Sequence, residues 1–312
     1  MTIEPTTNPA LALIPEGFLI ATVSLDIEFE SGGAITVSAG DLLRDSIGAA
    51  LYRLAYSHQE GDLACDCCVC RLFRPKAAGS SGPGVGVDLP PAFMLRVDSF
   101  PRGEFEKGER ARVRLSVAGT EDEDITPLIQ AVRVAGSTGV GRPRARFRAD
   151  VLPEGIVRVD RESIAAESAL CLGKRRLIID FRTPTLVRID GKPKFGLSFA
   201  ELLGSVLNRI HRGLAFHWHD PEIAERTRDL RQAFIAAASE VRVDSTDMRW
   251  AHVERTRCGG QKQSLSGFVG VTSYCGDLDP FWPLVIAGSY THIGYGAAFG
   301  MGRYSFDIRA EP

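Results

Sequence analysis

No stretch of this 312-residue chain holds 18 consecutive apolar residues, which excludes a helical membrane span. The first 17 residues lack a basic start and a cleavable apolar segment, so no secretory leader is expected and the cytoplasm is the expected compartment. Nor is there an excess of positive charge. Lys and Arg number 37 against 39 Asp and Glu, a formal net of −2. That excludes a generically basic nucleic-acid binder, and any polyanion site must come from local clustering. The seven cysteines do not form an even set, and four crowd into Cys65-Asp-Cys-Cys-Val-Cys70. In a cytosolic chain this argues against disulfides. What remains is an ordinary globular composition, 44% apolar and 24% charged, on a length suited to about two domains.

The most distinctive stretch lies near the C-terminus: Tyr290-Thr-His-Ile-Gly-Tyr-Gly-Ala-Ala-Phe-Gly-Met-Gly-Arg-Tyr304. Gly294, Gly296, Gly300 and Gly302 sit between a hydrophobic helical pattern and a strand pattern. Glycine adopts positive φ at little cost and leaves room for a ligand against the backbone. Such a loop is either a tight connection or an amide cradle for phosphate. A shorter version, Gly136-Ser-Thr-Gly-Val-Gly141, occurs earlier.

Periodicity places elements around these loops. Residues 18–30 alternate apolar and polar as a half-buried strand does. Residues 41–56 carry a helical stripe of Leu43, Ile47, Ala50, Leu51 and Leu54, with Arg44, Gly48 and Tyr52 sharing another face. Strands are expected over 93–98 and 111–117, a helix over 125–135 and a strand over 142–151. The order β-α-β-β-α-β is that of a ferredoxin-like unit. It repeats with a strand over 177–181 and a helix over 198–216 opened by the capping box Ser198-x-x-Glu201. A second helical segment (221–238), paired strands (241–253 and 268–274), a helix (280–287) and a last strand follow. The expected architecture is α+β: two tandem ferredoxin-like, RRM-like domains with a C-terminal glycine-rich loop. The first spans 1–151 with a cysteine-containing insertion at 57–90. A linker covers 152–175 and the second domain 176–312.

In such units one sheet face stays open, and open faces of this kind commonly bind RNA. As one continuous strand, Arg142, Arg144, Arg146 and Arg148 would share a face, and Arg110, Arg112 and Arg114 repeat the pattern. Asp26, Glu28 and Glu30 would lie between the two rows. Cross-strand ion pairing is the reading for the Arg110 row. Phosphate contact is the reading for Arg142 and Arg144, beside the first glycine loop. The segment Arg249-Trp-Ala-His-Val-Glu-Arg-Thr-Arg-Cys-Gly-Gly-Gln-Lys262 reads as a basic hairpin. Its Arg249, His252, Arg255, Arg257 and Lys262 are candidate RNA contacts. His211 reads as a packing or capping residue and His292 as a brace for the glycine loop. Either Cys65-x-x-Cys68 or Cys67-x-x-Cys70 has the spacing of a zinc half-site. No second pair is evident, and no metal ligand or cofactor is assigned.

At these residues the chain resembles the CRISPR precursor-RNA-processing endoribonucleases of the repeat-associated (RAMP) superfamily. The resemblance is carried by Gly267-Phe-Val-Gly, Gly276-Asp-Leu-Asp-Pro-Phe-Trp-Pro-Leu and the run from His292 to Tyr304. Asp180-Phe-Arg-Thr-Pro-Thr185 and Leu42-Leu-Arg-Asp-Ser-Ile-Gly-Ala-Ala-Leu51 are similar too. It implies two ferredoxin-like units that bind repeat RNA and cut it without a metal ion, by attack of the 2′-hydroxyl. It also implies retention of the guide RNA among other CRISPR effector subunits. Histidine suits the acid and base of that reaction, but residues 41–56 contain none and His58 is the nearest. Arg44, Tyr52 and His58 are therefore the catalytic candidates. Gly294, Gly296, Gly300, Gly302 and Arg303 are the candidate RNA-backbone platform. The alternative is a RAMP protein that caps or scaffolds guide RNA without cutting. A mononucleotide-binding enzyme is disfavoured, because the glycine loop precedes a strand instead of joining a strand to a helix.

Overall fold

The computed structural model describes residues 8–55, 67–73, 90–119, 125–256 and 262–309. The first sheet is built from β1 (Leu19–Phe29), β2 (Phe93–Ser99), β3 (Arg110–Ala118) and β4 (Phe147–Asp160). Its order is β2-β3-β1-β4, with every neighbour antiparallel. Helices α1 (Ala39–Leu54) and α2 (Ile125–Thr138) cover one face. The alternation of β1 turns Ala21, Val23, Leu25, Ile27 and Phe29 onto Leu43, Ile47 and Leu51 of α1.

The second unit repeats the plan. After α3 (Arg161–Leu170) come β5 (Arg176–Thr185), α4 (Phe199–Asn208), α5 (Arg228–Ala238), β6 (Arg242–Ala251), β7 (Gly267–Cys275), α6 (Trp282–Thr291) and β8 (Tyr304–Arg309). The order β6-β7-β5-β8 matches the first sheet strand for strand. Both units are ferredoxin-like. The capping box forms at the start of α4, where Glu201 N donates to Ser198 Oγ and Ser198 N to the Glu201 carboxylate.

Three segments differ from the sequence expectation. The strand expected from residue 142 begins at Phe147, because residues 141–144 form a turn closed by pairing of Val140 with Ala145. Pro143 has no N–H to give a ladder. Arg142 and Arg144 are thus exposed at a turn, and only Arg146 and Arg148 of that row alternate outward. The stretch 152–175 carries the rest of β4 and the whole of α3, which buries Ile164. Asp160 caps α3 by accepting from Ser163 N at 2.8 Å. Finally, α4 ends at Asn208, and the chain widens into a π turn (Arg209–Leu214) and then a 3-10 turn (Ala215–Trp218).

On the open face of the first sheet the arginines pair across strands. Arg112 meets Asp26 at 2.7 Å, Arg110 meets Glu28 at 3.4 Å and Arg148 meets Glu28 at 3.9 Å. Register places these residues opposite one another. The Arg112 guanidinium holds the Asp26 carboxyl below the usual carboxylate range. These pairs are exposed, so they contribute little to stability. Arg112→Ala is accordingly expected to leave the melting temperature nearly unchanged while the Asp26 carboxyl titrates at higher pH, read by carboxyl NMR. An unmoved Asp26 midpoint would refute the pairing.

The two units share their cores. Phe18, Ile20, Met94, Ala118 and Val159 pack with the second core, and Ala298 of the glycine loop packs in the first. Trp218 Nε1 donates to the Leu19 carbonyl at 2.9 Å, and its ring lies 4.7 Å from Phe18.

Candidate functional site

The glycine loop, residues 292–303, folds back on itself before β8. Ile293 N donates to Gly302 O at 2.9 Å, and Met301 N to Gly296 O at 3.1 Å. Gly302 has φ +72, and a Cβ there would sit 1.8 Å from the Ile293 carbonyl oxygen. Only glycine closes this turn. His292 starts it at φ 58, with its ring buried. Its Nδ1–H donates to Met301 O at 3.1 Å, so the ring braces the loop. Gly294 and Tyr295 are exposed, Gly296 is half-buried, and Gly300 and Gly302 are buried.

The loop is pressed onto the first unit. A Cβ at Gly40, near the start of α1, would meet the Phe299 carbonyl oxygen at 2.1 Å. The Phe299 ring has the Arg44 guanidinium at 4.9 Å and that of Arg255 at 4.3 Å, within cation–π range. Arg255, read from the sequence as an RNA contact, is turned inward. It pairs with Asp41 at 3.1 Å and Asp45 at 3.5 Å. Burial pushes the Asp41 carboxyl up in spite of Arg255. Arg303 is also largely enclosed. It meets Asp98 of β2 at 3.2 Å, and Asp98 accepts from Arg96 as well. Burial, reinforced by Arg96, pushes the Arg303 guanidinium down to about 10. Both arginines therefore tie the second unit to the first.

Between the units lies a cleft of about 1150 Å³. Arg44, Gly48 and Tyr52 form one wall, the helical face the sequence singles out. Asn208, Arg209, Arg212 and Gly213 line the cleft from the second unit, together with residues 294–299 of the glycine loop. Five lining residues are arginines: Arg44, Arg188, Arg209, Arg212 and Arg255. Asp45 is the one lining carboxylate among the described residues. A concave site with this charge ratio concentrates anions.

The structure brings Arg44, Tyr52, Gly294, Gly296 and Arg255 to this cleft. His58 and Arg257 lie outside the described residues. Arg142 and Arg144 line a separate hollow of about 290 Å³ with Leu42 and Ser46 of α1. Arg249, His252 and Lys262 are exposed and do not line the cleft; Lys262 meets Glu254 at 3.3 Å. His211 is buried and donates to Leu13 O at 2.7 Å. Cys67 precedes the short helix Cys68–Phe73, which holds Cys68 and Cys70. Cys65 lies outside the described residues. Among the described residues no group of three His, Cys, Asp or Glu side chains is arranged to hold a metal ion. Sequence reasoning missed Arg188, Arg209, Arg212 and Tyr295. Arg209 and Arg212 fall inside the helix expected over 198–216 and carry no local signal, and Tyr295 lies among glycines.

This geometry has relatives. The family model for the CRISPR-associated endoribonuclease Cas6 matches residues 179–304. The second domain belongs to the Cas6 family. A second family model, described as an N-terminal domain, matches residues 18–166. Among solved structures, a Cas6 product complex is 17% identical, with a TM-score of 0.57 over 93% of this chain and 99% of that one. Thermus thermophilus Cas6 is 15% identical, with a TM-score of 0.54 over 93% of this chain and 98% of that chain. A partial Cas6-RT-Cas1–Cas2 complex is 9% identical, with a TM-score of 0.61 over 95% of this chain and 47% of its own. At these identities the likeness shows the fold. No curated protein matches the chain. The Cas6 match takes in the Arg209 wall and the glycine loop, whereas α1 lies in the N-terminal match. The cleft is therefore made where the Cas6-family domain meets its companion. No helix among the described residues is long and apolar enough to cross a membrane.

Proposed function

We propose that the chain binds CRISPR repeat RNA in the cleft between α1 and the glycine loop and cuts it by internal transesterification. The supporting observation is five arginines against one carboxylate in a cleft lined by a Cas6-family domain. The 2′-oxygen attacks the adjacent phosphorus, and the bond from phosphorus to the 5′-oxygen breaks. A base takes the 2′-hydroxyl proton and an acid gives one to the leaving oxygen. The products are a 2′,3′-cyclic phosphate and a 5′-hydroxyl. Arg44 is placed to stabilise phosphorane charge and Tyr52 to orient the reacting group. His58 is the candidate base from the sequence. The step needs no metal ion. The cut guide RNA stays bound, and the protein serves as a subunit alongside other CRISPR effector proteins.

The test is incubation with labelled repeat RNA in EDTA. One cut is expected, and it should disappear when a single 2′-hydroxyl is replaced by hydrogen. Tight binding of that RNA with no cut under any condition would overturn the nuclease assignment and make the protein a guide-capping subunit.

A further inference from the structure

Among the described residues, no carboxylate pairs with Arg209. It opens the π turn and lines the cleft that α1 also lines. Its Nε donates to Thr291 O at 3.1 Å, but its Nη2 is buried with no hydrogen-bond partner among the described residues. Burial alone pushes the guanidinium down to about 10, and no carboxylate among the described residues offsets it. Two of the cleft's other arginines differ. Arg44 pairs with Asp45 at 2.9 Å and lies over the rings of Phe73 and Phe299; Arg255 pairs with Asp41.

The surroundings of Arg209 add positive charge. Arg212 follows one turn later and faces solvent. Arg231, whose Nη2 donates to Asn208 Oδ1 at 2.7 Å, stands close enough to feel the Arg212 charge. A guanidinium removed from water is costly unless an anion accompanies it. Here that cost is met at the wall of an open cleft, on a π turn, a deformation often found at functional sites.

We propose that Arg209, backed by Arg212, takes a non-bridging oxygen of an RNA phosphodiester in this cleft and is the charge-stabilising catalytic residue of its C-terminal wall. This rests on the RNA-processing reading of the same cleft. As the bond from the 2′-oxygen to phosphorus forms, added negative charge spreads over the non-bridging oxygens. The guanidinium of Arg209 meets that charge. As the bond to the 5′-oxygen breaks, the charge moves to the leaving oxygen, which the acid protonates. Arg209 transfers no proton.

Arg209→Met keeps the aliphatic stem and removes the charge. Cutting at saturating RNA is expected to fall about 100-fold or more, with the Kd for a 2′-deoxy repeat RNA changed by less than about fivefold. A second measurement does not depend on cutting. A short RNA ending in a 2′,3′-cyclic phosphate should raise the melting temperature of the unaltered protein and of Arg209→Lys by more than that of Arg209→Met. If Arg209→Met does not fold, Arg209→Lys is read instead. It should keep the thermal shift and lose at least about tenfold in cutting rate, because lysine lacks the planar fork. Cutting by Arg209→Met within about twofold of the unaltered protein would overturn the proposal. So would equal thermal shifts in the two proteins, or full-rate cutting by Arg209→Lys. If the unaltered protein cuts no repeat RNA, the nuclease reading fails and the anion site stands or falls on the thermal shift.

Discussion

Arg255→Leu is expected to cost about 3–5 kcal/mol of folding stability, the scale for stripping one partner from a buried ion pair. The Arg255 side chain is 8% exposed and that of Asp41 is 11% exposed. The carboxyl of Asp41 is already pushed up by burial while Arg255 pulls it down. Without Arg255 the smaller influence of Arg44 is left to oppose that burial. The contact to the Phe299 ring at 4.3 Å goes as well. The Asp45 contact adds little, because that carboxylate is about half exposed. Adding Asp41→Asn to Arg255→Leu should recover much of the loss. A coupling of about 1–3 kcal/mol is expected from the double-mutant cycle by urea denaturation. A single-mutant loss below about 1 kcal/mol would show that the pair does not hold the units together. An RNA contact on the surface would behave differently, flattening the salt dependence of binding at unchanged stability.

His292 gives the fold an acid sensitivity nearly as large. Its buried ring is pushed down to about 3 by burial first, with Arg209 and Arg303 opposing a second positive charge and the Met301 carbonyl pulling the other way. An unfolded histidine titrates near 6.5. Between those values the unfolded chain holds a proton that the folded chain does not. The contribution is therefore complete above about 6.5 and is lost as pH falls toward 3. At pH 5 the loss is about 2 kcal/mol, from roughly 1.5 pH units at about 1.4 kcal/mol each. His211, also pushed down by burial, acts in the same direction. The comparison that isolates His292 is His292→Asn. Asparagine is an L residue like histidine, so the backbone strain at this position is held roughly constant, and its amide can still donate toward Met301 O. Unfolding free energies at pH 7 and pH 5 should fall less in the variant. Equal slopes would mean that the ring is protonated in the folded protein.

The sequence by itself determined what local chemistry and periodicity can specify. The alternation of β1, the stripe of α1, the Ser198–Glu201 cap and the doubled β-α-β-β-α-β order need only near neighbours, and all of them form. The face holding Arg44, Gly48 and Tyr52 was legible because a helix fixes which side chains share a side. The cross-strand pairing of Arg112 was legible too, but the extent of β4, the widening of α4 into a π turn and the destinations of Arg255, Arg303 and Arg209 were not. Arg112, Arg255 and Arg209 are the same side chain in three states: paired across a strand, locked between units, and half-buried with no carboxylate among the described residues. Which state each takes depends on partners far away in the chain, such as Asp41 for Arg255. Only the packed tertiary structure decides whether a carboxylate arrives at a given guanidinium, because that energy is set by distance and burial and not by spacing along the chain.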